Sequence, residues 1–147
     1  MENILVSACL LGENCKYNGG NNYCSGLQKL RDKYNFIPIC PETFGGLKSP
    51  RDPAEICGDC VRLKCGIDVS DAFYKGAEIS LKIAKENNCK YAILKERSPS
   101  CGVNSIYDGS FSGAVVKGQG ITAKLLKENG IILFSEEEID HFLSVVK

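Results

Sequence analysis

Ile4-Leu5-Val6-Ser7-Ala8-Cys9 is a short apolar run that ends on a thiol, followed by the turn-forming sequel Gly12-Glu13-Asn14-Cys15-Lys16-Tyr17-Asn18-Gly19-Gly20. Apolar residues bounded in this way read as a buried strand that feeds a loop. The same shape recurs twice. Phe36-Ile37-Pro38-Ile39 stops at Cys40, and Tyr91-Ala92-Ile93-Leu94 runs into Lys95-Glu96-Arg97-Ser98-Pro99-Ser100-Cys101-Gly102. Between the strands, Leu27, Leu30 and Tyr34 recur at helical spacing, and Val69 to Glu86 carries the longest helical pattern, with Ser70 or Asp71 as its N-cap and Asn87-Asn88 as its stop. A glycine-marked loop from Gly113 to Gly120 leads to a helix over Ile121–Asn129, closed by Gly130. Ile131 to Phe134 makes a fourth strand. Ser135 with Glu138 forms a capping box for a last amphipathic helix through Val145. Pro41 to Arg62, with Gly45-Gly46, three prolines and two cysteines, has no clear period and reads as a long functional loop.

Strands alternating with helices imply an α/β fold with a mostly parallel sheet flanked by helices, right-handed crossovers and a ligand crevice outside the carboxyl ends of the strands. Cys9, Cys40 and Cys101 each follow a strand, so this topology gathers three distant thiols at one rim. A chain of 147 residues suits one core, and we expect a single domain over residues 1–147. Eighteen basic residues balance eighteen acidic ones, which argues against a polyanionic partner such as nucleic acid. The first residues lack the basic segment of a signal peptide, and no run approaches the roughly 20 apolar residues of a membrane span. The expected location is cytoplasmic. In a reducing compartment the nine cysteines point to metal binding, catalysis or burial rather than to disulfides.

A single strand-end thiol is most simply a small buried hydrophobe. Three in one topological position suit a soft metal centre, zinc or iron–sulfur, and three protein ligands leave a coordination position open. A rival constellation is Cys57-Gly58-Asp59-Cys60 with Cys65, a C-x2-C-x4-C spacing that fits a zinc clip, a redox pair, half of a cluster site or no specific role. Cys24 and Cys89 read as packing residues. Cys15 shares a loop with Cys9 and is within reach of the same site. The sole histidine, His141, reads as solvent-facing on the last helix.

Ser7-Ala8-Cys9-Leu10-Leu11-Gly12 with Cys15-Lys16-Tyr17-Asn18-Gly19, then Cys40-Pro41-Glu42 with Gly45-Gly46-Leu47 and Pro50-Arg51-Asp52-Pro53-Ala54-Glu55, form the first motif blocks. Leu94-Lys95 through Ser98-Pro99-Ser100-Cys101-Gly102, and Ile106-Tyr107-Asp108-Gly109-Ser110-Phe111, complete the set. In this order, across nearly the whole chain, they resemble the thiouracil desulfurase (TudS) domain family. The resemblance implies a Rossmann-like α/β domain with a [4Fe-4S] cluster on three cysteines, the fourth iron being free to take the sulfur of a small thiolated nucleobase or nucleoside. The implied reaction is a non-redox desulfuration that releases sulfide. Matched position by position, Cys9, Cys40 and Cys101 fall on the cluster ligands, and Glu42 and Ser100 on the polar residues beside the substrate. Cys57, Cys60 and Cys65 depart from the family motifs.

On that reading Glu42 activates water or carries its proton, and Ser100 hydrogen-bonds the substrate or a developing charge. A second reading is a zinc-binding module without desulfurase activity, and a third is a thiol oxidoreductase using Cys57 and Cys60. Arg51 and Glu55 are expected to pair and fix the proline-rich loop, or to touch substrate. Asp108 reads first as an Asp-Gly turn former, and Gly118-Gln119-Gly120 as an ordinary loop rather than an anion cradle.

Overall fold

The computed structural model describes residues 1–146. In chain order the strands are β1 (Glu2–Ser7), β2 (Tyr34–Ile39), β3 (Ala54–Cys57), β4 (Cys60–Leu63), β5 (Tyr91–Leu94), β6 (Ser105–Tyr107), β7 (Val115–Lys117) and β8 (Ile132–Ser135). The α-helices are α1 (Pro41–Phe44), α2 (Ser70–Glu86), α3 (Ile121–Glu128) and α4 (Ile139–Val145). The central sheet has the order β2-β1-β5-β8, and every neighbouring pair in it is parallel. The chain turns one way from β1 to β2 and the other way to β5. That reversal puts a topological switch point at the carboxyl ends of β1 and β5, where open α/β sheets hold their ligands.

Both faces of the sheet are covered, as parallel sheets require. Successive side chains point to opposite faces, so Leu5, Ala92 and Leu94 pack with Ala84, Ala123 and Leu126 of α2 and α3. Ile4, Val6 and Ile93 pack on the other side with Leu27, Leu30, Ile139 and Phe142. Pro38 lies in β2, an edge strand, where a missing N–H is tolerated. The Leu27/Leu30 segment is a 3-10 helix over Ser25–Leu30, not an α-helix. Cys24 and Cys89 pack against the two core clusters, as expected of small apolar side chains.

The capping box at Ser135 and Glu138 is present, and it opens a short 3-10 turn before α4. The start of α2 differs from expectation. Val69 is the N-cap and no side chain caps the helix; Asp68, one residue before it, accepts from the Ser70 N–H at 2.8 Å, while the Ser70 hydroxyl accepts from the Val61 N–H and ties α2 to β4. The segment read as a long loop holds three elements: α1 and the antiparallel hairpin β3–β4. Pro41 sits at the first turn of α1, where a proline is pre-organised for helix, and Gly58-Asp59 makes the hairpin turn with Gly58 at φ +65°. A second hairpin, β6–β7, lies inside the region after Cys101.

Candidate functional site

Three loops at the carboxyl ends of β1, β2 and β5 surround a cavity of about 490 Å³, in the usual range for small-molecule sites. Cys9, Cys40 and Cys101 all line it, and so does Cys15. They are close enough to repel one another electrostatically as thiolates: Cys9 feels Cys40, and Cys101 feels Cys9. All nine cysteines are free thiols.

Each thiol has its own environment. The Cys9 sulfur accepts from the Asn22 amide at 3.4 Å. Burial raises its pKa, the Asn22 bond and the nearby Lys95 ammonium lower it, and the net direction is upward. Cys40 is held down to about 6, chiefly by a hydrogen bond with the Cys15 thiol and against its own burial. The Thr43 hydroxyl, 3.1 Å from the Cys40 sulfur, adds to this. The same coupling pushes Cys15 up. Cys101 is 4 % exposed, and burial pushes it up to about 12. Metal binding would displace these protons, since a ligating sulfur is a thiolate.

Glu42, on α1, meets Ser100, from the loop after β5, across 58 residues of sequence: the Ser100 hydroxyl donates to Glu42 Oε2 at 2.9 Å. The other carboxylate oxygen, Oε1, accepts from Arg51 Nη2 at 2.8 Å, and both side chains of this ion pair are largely buried. The expected Arg51–Glu55 pair is therefore not formed. Arg51 is turned inward to Glu42 and also donates to the Lys48 and Cys15 carbonyls, while Glu55 accepts from the Gly109 and Phe111 N–H groups. Sequence reasoning left Arg51 outside the site because an ion pair between two loops has no periodic signature. Lys95 was also missed. It lines the cavity, bonds the Glu96 carbonyl and pairs with Glu136 at 3.1 Å, so a cation stands near the thiols.

The loop bearing Ser100 and Cys101 is fixed from two sides. The Ser98 hydroxyl accepts from the Ser100 and Cys101 N–H groups, and the Ser100 carbonyl accepts from Thr122 N–H and Ala123 N–H at the start of α3. Gly120 and Gly118 donate to the Gly102 and Asn104 carbonyls, so the G-x-G segment serves loop closure rather than anion binding. Glu96, 3 % exposed, accepts from the Val103, Asn104 and Ser105 N–H groups and from the Asn104 amide. Burial acts to raise its pKa, but these hydrogen bonds outweigh it and hold the carboxyl below the usual range. The folded state thus favours ionised Glu96. Its stabilisation is complete above the unfolded pKa of about 4.3 and is lost as pH falls through the lower folded value. Glu96→Gln sets an amide donor against a buried donor and is expected to cost about 2 kcal/mol at pH 7, seen as a Tm lower by roughly 4–8 °C. In thermal melts this difference should shrink below about pH 4; a constant difference down to acid would contradict the assignment.

Cys57 and Cys60 are cross-strand partners at the tip of β3–β4, and Cys65 is exposed in the following turn. Neither Cys57 nor Cys60 lines the cavity. Among the described residues no three His, Cys, Asp or Glu side chains are gathered as a single-ion site. One zinc ion with bonds of about 2.3 Å needs its sulfurs about 3.8 Å apart. A polynuclear cluster, whose ligands bind different irons, takes a wider set. Three soft thiols lining one cavity fit an iron–sulfur cluster by their donor chemistry.

Asp108 is a turn former: its carboxylate accepts from the Ser110 N–H and hydroxyl. His141 is exposed on α4. Cys15, placed by the sequence between packing and site, lies on the cavity against Cys40.

Fold and site together define a parallel α/β protein with a thiol-ringed pocket at its switch point and a buried carboxylate–arginine–serine array on one wall. Residues 4–138 match the 2-thiouracil desulfurase family, and the chain belongs to that family. It is 42% identical over 150 residues to the uncharacterized protein YbbK of Bacillus subtilis (strain 168), covering 95% of this chain and 99% of that protein. The solved structure of the [4Fe-4S]-dependent thiouracil desulfidase TudS superposes with a TM-score of 0.91 at 40% identity, over 99% of this chain and 100% of the other. No helix among the described residues is long and apolar enough to cross a membrane.

Proposed function

We propose that this protein is an iron–sulfur-dependent desulfurase that converts a small thiolated pyrimidine such as 2-thiouracil, with water, to the oxo compound and hydrogen sulfide. No electrons are transferred in that balance: one C=S bond becomes one C=O bond, and the two hydrogens of water leave with the sulfur. Cys9, Cys40 and Cys101 are the residues that would hold the [4Fe-4S] cluster. When bound, the cluster supplies a thiophilic Lewis-acidic iron for the substrate sulfur.

The protein's own groups handle the water. A carboxylate has about four lone-pair sites, and in Glu42 Arg51 and Ser100 occupy one on each oxygen. The remaining sites accept a water proton while the two partners keep the carboxylate from rotating. The Ser100 hydroxyl has Glu42, Ser98 and the Cys101 sulfur within reach, so its main part is to tie the base to the Cys101 loop. The apolar surround formed by Ile39, Pro41 and Phe111 limits competing water.

The observation that carries the reading is the arrival of three strand-end thiols and the Glu42–Ser100 bond on one cavity. We further read the chain as one desulfurase domain over residues 1–147, working in the cytoplasm where its free thiols stay reduced. The test is anaerobic reconstitution with iron and sulfide followed by incubation with 2-thiouracil. Uracil and sulfide should appear in a 1:1 ratio without added reductant. A reconstituted, brown protein that leaves 2-thiouracil intact would overturn the substrate assignment, and a strict need for an electron donor would overturn the hydrolytic balance.

A further inference from the structure

Phe111 has φ +57°, in the left-handed region. That conformation is at home for glycine and sometimes asparagine, but for a bulky aromatic it is an outlier that persists only where its surroundings enforce it. The surroundings here are specific. Glu55, 8 % exposed on β3, directs Oε1 at two backbone donors, Gly109 N at 2.9 Å and Phe111 N at 3.2 Å. Gly109 has φ +93° and lies so close to β3 that a Cβ there would stand 2.7 Å from the Ile56 carbonyl oxygen. The loop is therefore latched to β3 by a buried carboxylate and by the missing side chain of Gly109. What the latch holds up is a phenyl ring: Phe111 lines the cavity.

This segment lies between β6 and β7, outside the three thiol loops in sequence, and it brings a different chemistry to the same cavity. Glu42, Arg51 and Ser100 bring polar groups to the lining, whereas Phe111, whose ring carries no polar atom, and Tyr107 bring aromatic residues to it. A thiolated pyrimidine is a flat heteroaromatic ring. Its edge needs hydrogen bonds and metal, and its face needs a platform that excludes water.

We propose that Phe111 is the platform on which the ring of the thiolated pyrimidine stacks, and that Glu55 is the positioning residue that holds it in place through the 109–111 backbone. This deepens the substrate reading above and rests on it. Binding is measured on the reconstituted enzyme by equilibrium titration with uracil, which has the ring but no sulfur to bind iron, alongside KM and kcat for 2-thiouracil. Phe111→Gly should weaken uracil binding and raise KM about tenfold with kcat within about threefold. Because glycine relieves the left-handed backbone, Tm should stay level or rise, the opposite of a merely structural loss. Phe111→Tyr should keep both constants within about twofold. Glu55→Ala should raise KM in the same direction, and Glu55→Gln, which keeps an acceptor oxygen for the two N–H groups, should restore it.

Unchanged uracil affinity in Phe111→Gly, or a loss in Phe111→Tyr as large as in Phe111→Gly, would overturn the inference while an active wild type leaves the desulfurase reading standing. A wild type that neither binds uracil nor consumes 2-thiouracil would overturn both.

Discussion

Glu42→Gln is expected to lower kcat for 2-thiouracil about 100- to 10,000-fold while iron content stays at the wild-type level. Glutamine has nearly the shape of glutamate and can still meet Ser100 or Arg51, but it does not take a proton from water, and general-base catalysis accounts for a factor of this size. Arg51 loses its charge partner at a site where the guanidinium side chain is 8% exposed. Removing one member of a buried pair typically costs several kcal/mol, so a lower Tm accompanies the kinetic loss. The two effects separate at a temperature well below both melting points: there the variant is folded, carries its iron and turns over slowly. Activity within threefold of wild type would remove Glu42 from the chemistry.

Gly76→Ala is expected to be the most damaging small substitution away from the cavity. Glycine inside a helix ordinarily costs about 1 kcal/mol relative to alanine, so in the absence of a close contact the change would stabilise α2. Here a Cβ would fall on the Pro41 carbonyl oxygen, and Gly45 of the facing segment is equally tight against the Ala72 carbonyl. Helix α1 rests on α2 through these two glycines. Adding a methyl group levers away the segment that carries Cys40 and Glu42, at a cost of about 3 kcal/mol and a Tm lower by roughly 6–12 °C. Iron retention and turnover should fall with it. An alanine at the neighbouring exposed Lys75 should shift Tm by less than about 2 °C. Equal melting temperatures for Gly76→Ala and wild type would show that α1 is free to move off α2.

The parallel sheet was legible because its strands are buried on both faces and so appear as continuous apolar runs: Ile4 to Val6 and Tyr91 to Leu94 needed no tertiary information. The placing of Cys9, Cys40 and Cys101 followed from topology alone. The two hairpins did not emerge, for a local reason. Cys57-Gly58-Asp59-Cys60 carries both a ligand spacing and a two-residue turn, and the strands it joins are four residues each, too short to show alternation clearly. Arg51 illustrates a different limit. Its partner is chosen by how two irregular loops cross, so proximity in sequence favoured Glu55 while the fold delivered Glu42. Phe111 is a third kind. No propensity rule sends an aromatic residue into the left-handed region; here Glu55, 56 residues away, accepts from its N–H.

The central claim is that Cys9, Cys40 and Cys101, and not the sequence-adjacent trio Cys57, Cys60 and Cys65, hold the iron. Its most direct test compares iron per chain, together with visible absorbance, in two triple variants after anaerobic reconstitution. Cys57→Ser/Cys60→Ser/Cys65→Ser should retain about four irons and the brown chromophore of wild type, whereas Cys9→Ala/Cys40→Ala/Cys101→Ala should retain almost none while its Tm shows a folded chain. Iron kept by the second variant and lost from the first would contradict the account outright.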